Sequence, residues 1–159
     1  MRDLDAVDAS LLAALADSPR ATLVALADKL GMSRNTIYAR MAQLEAAGAF
    51  LHFDRRINPE VIGFPLTAFV TITVRQKELG RIVQDLARIP EVVQAHGLSG
   101  TSDMLAIVVC PDIRRMFDVD AAILAIDGVE RTETTLSMGE LIPYRIQPLI
   151  RSITEERAE

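Results

Sequence analysis

Cysteine is nearly absent from this chain: Cys110 is the one thiol in 159 residues. No internal disulfide can form, and a reducing, cytoplasmic setting is expected. Cys110 closes the apolar run Leu105 to Val109 and reads as a small buried apolar residue rather than a reactive thiol. Tryptophan is missing and aromatics make up 4% of the chain, so the core has to be Leu, Ile, Val, Met and Ala. No apolar run approaches the ~20 residues that cross a bilayer. The acidic start, Met1-Arg2-Asp3-Leu4-Asp5, has no signal-peptide apolar stretch, so no membrane partner is expected. With only His52 and His96 as histidines, there is no His/Cys metal spacing. Nucleophile elbows, paired catalytic carboxylates and phosphate-cradling glycine loops are also missing. The expectation is a chain without metal, cofactor or catalytic residues, and not an enzyme.

Positive charge is short as well. The net charge is −5, which weighs against a nucleic-acid binder because phosphate contacts need Lys and Arg. The shortage is uneven, however. Residues 1–63 hold 7 Lys+Arg against 8 Asp+Glu, while residues 64–159 hold 10 against 14, so the acidity sits mostly in the second half.

What is present in the first half is a set of three short helices with caps. Asp5 is placed to cap the first, with Asp8 three residues later, and Val7, Leu11 and Leu15 recur at helical spacing. Ser18-Pro19 ends it. Thr22 caps a second helix whose inward residues are Leu23, Leu26, Ala27 and Leu30, and Gly31 closes it. Ser33 caps a third, with Ile37, Met41 and Leu44 as its buried stripe and Gly48 at its end. Ala49 to Ile57 reads as a short strand or extended arm, and Gly63-Phe64-Pro65 as a domain boundary. Two domains follow, 1–63 and 64–159, the second including a tail broken by Pro143 and Pro148 and frayed or loosely helical at its end.

The second half reads β-α-β-β-α-β. Strands are predicted over Leu66–Val74, Val92–Leu98, Met104–Cys110 and Val129–Ile142, with helices over Lys77–Ile89 and from Pro111-Asp112 through Leu124. That order is the ferredoxin-like split βαβ arrangement. Its four-stranded sheet leaves one face bare, which predicts a homodimer. The fold class is α+β.

A helix that reads DNA must leave one face free for base edges. With Ile37, Met41 and Leu44 inward, the third helix offers Arg34, Asn35, Thr36, Ala39, Arg40 and Gln43. Arg suits guanine, Asn and Gln suit adenine, and small methyls suit the thymine methyl. Ser33 and the free N–H groups behind it can hold a phosphate. Thr22, Lys29, Arg55 and Arg56 can reach others. Two of these residues have a second use open to them. Arg40 can pair with an acid of the first helix, and Tyr38, beside the apolar stripe, either packs inward or touches phosphate.

Taken together, the three capped helices, the "INPEVIG" arm, the βαββαβ half and the "GTSD" turn between its second and third strands resemble the Lrp/AsnC (feast/famine) transcription regulators. The resemblance runs from Leu4 to about Ile150. It implies a winged helix-turn-helix domain that binds double-stranded DNA. It also implies a RAM domain that dimerises, with dimers assembling into octamers, and a small effector, usually an amino acid, bound between RAM domains at the turn. Carried onto this chain, that site is Gly100 and Asp103 with Thr101 and Ser102 between them and Leu98 before them. Chemically, backbone N–H groups at Gly100 can meet an α-carboxylate and Asp103 an α-ammonium; the plainer reading is a hairpin turn that Gly and Asp favour. One departure stands out: many members carry a bulky residue before the aspartate, and here it is Ser102. His96 reads as an ordinary strand residue rather than a pocket residue, and His52 as a solvent or packing residue rather than a ligand. Two rival functions are an architectural DNA-binding protein without effector and, further off, an enzyme like the sirohaem decarboxylases.

Overall fold

A computed structural model describes residues 4–50 and 57–156, and the chain divides into two compact units. One comprises Met1–Arg55 with Ile142–Glu159 and the other Arg56–Leu141. The tail assigned above to the second domain therefore returns to the first. Arg55 and Arg56, His52, and most of the expected wing or arm lie outside the described residues.

The first unit is helical. Helix α1 (Ala6–Asp17) starts with a reciprocal cap: Asp5 accepts from the N–H of Asp8 at 2.8 Å, and Asp8 accepts from the N–H of Asp5 at 3.3 Å. Both bonds satisfy N–H groups that a helix start leaves without partners. Thr22 caps α2 (Leu23–Leu30), which ends on Gly31 at φ 65°, a conformation that favours glycine. Ser33 caps α3 (Arg34–Ala46). Leu11, Ala14, Leu26, Ala27, Ile37 and Leu44 form the core. Leu23, expected inside, is exposed, and Val7 and Leu15 are only partly covered. Helix α6 (Gln147–Glu156) packs on α1, where Ile150 is buried and the Gln147 amide donates to Asp17. Pro148 does not break this helix, since it occupies the first turn, where no N–H is needed.

The second unit is a four-stranded antiparallel sheet of order β2-β3-β1-β4, built from β1 (Leu66–Val74), β2 (Val92–Gly97), β3 (Met104–Cys110) and β4 (Val129–Leu136). The last strand ends at Leu136, short of the expected Ile142. Helices α4 (Leu79–Leu86) and α5 (Ile113–Leu124) cover one face. Alternation along the strands sends Ala68, Val70, Ile72 and Val74 of β1, and Met104, Ala106, Val108 and Cys110 of β3, into the core beneath them. Cys110 is fully buried, and burial pushes its thiol pKa up, as expected of an inert packing residue. The opposite face carries Phe69 across from Ile107 and Thr71 across from Leu105, and helices α4 and α5 pack on the other, core face.

Candidate functional sites

Helix α3 separates its residues cleanly. Ile37 and Leu44 are fully buried and Met41 partly so, while Arg34, Asn35, Thr36, Tyr38, Ala39 and Gln43 are exposed. Tyr38, at 66% exposure, does not pack inward. Ser33 accepts from the N–H of Thr36 at 3.1 Å, and the two hydroxyls share a bond of 2.8 Å. Thr22 accepts from the N–H of Ala25 at 3.2 Å. These caps fix where α2 and α3 begin and so aim the second helix. Lys29 pairs with Asp17 at 3.5 Å, an exposed contact that a phosphate can displace cheaply.

Arg40 is used differently. Its guanidinium donates to Asp5 and, at 3.1 Å, to Asp8, whose side chain is fully buried. It pins α3 to the start of α1. The N–H of Asp8 and then Arg40 hold the Asp5 carboxyl below its ordinary range, and Asp5 in turn raises the pKa of Arg40. Of the two uses open to Arg40 from sequence, the structure shows the ion pair. Arg40 therefore belongs to the frame that holds α3.

The turn between β2 and β3 is exposed at its tip. Leu98 donates its N–H to the carbonyl of Asp103 at 2.8 Å, and Asp103 donates its own to Ile72 at 3.0 Å. Among the described residues, the N–H groups of Ser99, Gly100, Thr101 and Ser102 bond to no other protein group and are left to solvent or a ligand. Gly100 does not have positive φ, and a Cβ there would meet nothing within 4 Å, so the fold itself does not require glycine. Asp103 is the tethered residue. Its Oδ2 accepts from the N–H of Val74 at 2.8 Å and its Oδ1 from the Gln76 amide at 2.5 Å. Sequence reading missed Gln76 and the second role of Asp103, since nothing local links positions 27 and 29 residues apart. His96 pairs across from Leu105, on the face away from the helices, and is exposed. No group of three or more His, Cys, Asp or Glu among the described residues is placed to hold a metal ion. No described helix is long and apolar enough to cross a membrane.

A capped helix-turn-helix with one open face, joined to a split βαβ sheet, defines a two-domain DNA-binding protein. Residues 4–45 match the AsnC-type helix-turn-helix domain, and residues 67–146 match the Lrp/AsnC ligand binding domain. The chain belongs to the Lrp/AsnC family and is a DNA-binding transcriptional regulator of that type. It is 31% identical to the HTH-type transcriptional regulator Rv2324 of Mycobacterium tuberculosis, over 89% of this chain and 97% of that one. Its fold is similar to that of E. coli AsnC, with TM-score 0.82 and 26% identity, covering 92% of this chain and all of that one. It also resembles the fold of the Neisseria meningitidis regulator NMB0573, solved in complex with L-Met. There the TM-score is 0.78 at 24% identity, over 88% of this chain and 93% of that one.

Proposed function

We propose that this regulator reads operator DNA with the open face of α3 and answers to an amino acid held at the turn Ser99–Asp103. The observation that carries the first half is the split of α3 into a buried stripe and an exposed row. Arg34, Asn35, Thr36, Ala39 and Gln43 face base edges, and Ser33, Tyr38 and Thr22 lie along the phosphates, with Arg55 of the arm as a further phosphate contact. The chemistry matches what the major groove displays. The second half rests on four adjacent N–H groups without partners beside one carboxylate. A zwitterion carries the complementary pair, its α-carboxylate for the N–H groups and its α-ammonium for Asp103. That a regulator of the same fold is solved with L-Met supports the choice of ligand class.

Amino acids that bind the folded protein raise its Tm by mass action, so a thermal-shift series over the twenty amino acids tests the effector reading. A hit is expected, lost in Asp103→Asn and weakened in Gly100→Ala. The asparagine keeps an acceptor for the Val74 N–H, so the sheet end stays closed while the charge goes. A hit that survives Asp103→Asn places the ligand elsewhere. A flat series favours the effector-independent, architectural reading, which one observation supports: Asp103 already gives both oxygens to its own chain.

We also infer a homodimer formed on the uncovered sheet face. Phe69 is 39% exposed there, beside a groove that Phe64, Ile107, Met138 and Leu141 help to line. Met138 and Leu141 are almost wholly exposed. A second copy presents the same apolar surface, and apolar area of this kind is what self-association buries. Phe69→Glu is expected to turn a dimer into a monomer in sedimentation runs at micromolar concentration. A variant that stays dimeric places the interface on another face.

A further inference from the structure

Gln76 lies in the short 3-10 turn that follows β1, and it is exposed. Its amide nitrogen donates to Oδ1 of Asp103 at 2.5 Å. This is the oxygen an incoming ammonium needs, because Oδ2 faces the backbone N–H of Val74 at 2.8 Å. We propose that Gln76 is a gate on the effector turn: it competes with the ligand's ammonium for Asp103 and sets the concentration at which an amino acid binds. The inference rests on the reading of Ser99–Asp103 as the effector site.

The two donors on Asp103 are not equivalent. The Val74 N–H belongs to the end of a core strand whose side chain is buried, so it cannot leave without opening the sheet end. Gln76 hangs from an exposed turn, and its amide can turn out to water with little loss. A charged ammonium bonds a carboxylate more strongly than a neutral amide does. The ligand therefore wins Oδ1 from Gln76 but gives back the free energy of the bond it breaks.

Only the NH2 edge of Gln76 can bond the carboxylate, since its carbonyl oxygen would set one acceptor against another. The gate also ties two loops together. Arg75, next along, donates its N–H to Gly128 at 2.8 Å and its guanidinium to Asp127 and Glu78. While Gln76 holds Asp103, the effector turn is linked to the ends of β1 and β4.

The test is calorimetric titration of the full chain with each of the twenty amino acids, in the wild type and two Gln76 variants, with Asp103→Asn as the control. Gln76→Ala removes the competitor and is expected to tighten binding about tenfold, the worth of one hydrogen bond to a charged group. Gln76→Lys tethers a permanent ammonium beside Asp103 and is expected to weaken binding at least as much. Position 76 is exposed, so the Tm of the free protein should hold in both variants. An amino acid that binds Gln76→Ala but not the wild type also supports the gate. Unchanged or weaker binding in Gln76→Ala overturns it. If Asp103→Asn abolishes binding while Gln76→Ala leaves it unchanged, the effector reading stands and the gate falls. If no amino acid binds the wild type or either variant, both fall.

Discussion

Replacing Arg34 and Asn35 together with alanine is expected to weaken operator binding by about 100-fold or more, since each good base contact is worth about 1–3 kcal/mol. The free protein should keep its Tm within about a degree, because both side chains are exposed and neither supports the core. Fluorescence anisotropy on a duplex selected from a random pool by the wild type measures the loss. Arg34→Ala alone should relax preference at one position of each half-site, whereas Tyr38→Phe, if it touches phosphate, should weaken all sequences alike. Retention of full affinity by the double variant removes this face from DNA recognition. The contrast with Arg40 is informative: Arg40→Ala should lower the Tm first, and any effect on DNA should follow from a displaced helix.

The second large effect is expected at Asp8, buried at 0% exposure. Asp8→Ala removes a reciprocal cap and the partner of Arg40, and is expected to cost the N-terminal unit about 2 kcal/mol. For a unit of this size that is a fall in Tm of roughly 10 °C. Asp8→Ala combined with Arg40→Ala should cost less than the two single losses added, because each single change already breaks the same Asp8–Arg40 contact. Strict additivity would show that the pair is not coupled.

Two carboxylates, one in each unit, set a pH dependence. Asp5 and, through Arg115 at 2.7 Å, Glu91 both have folded pKa values below their ordinary ones. A carboxylate lowered by folding contributes stability that is complete above its unfolded value, about 4, and is lost as pH falls through the folded value. Stability should therefore decline below about pH 4. Arg40→Ala should flatten that decline for the N-terminal unit, as read from denaturant midpoints at several pH values.

Much of this molecule is legible from short stretches. Caps and stops depend on residues three or four apart, so Asp5 with Asp8, Thr22, Gly31 and Ser33 mark helix ends without help from the rest of the chain. Alternation and β-branched residues similarly place strands over Leu66–Val74 and Met104–Cys110. The exposed row on α3 follows from the same logic, because fixing Ile37 and Leu44 inside leaves Arg34, Asn35 and Gln43 outside. Tertiary structure decided the rest. Arg40 sits on the open side by periodicity alone, yet it meets carboxylates 35 and 32 positions earlier. Asp103 looks like a free acid in a hairpin, yet it closes the end of β1 and holds Gln76. Pro143 and Pro148 suggest a broken tail, frayed or loosely helical at its end, whereas a full helix forms over Gln147–Glu156 because α1 offers it a surface to pack on. The sequence alone could determine features whose free energy is settled within one turn or one strand. Pairings between charges and surfaces far apart in the chain exist only once the fold brings them together.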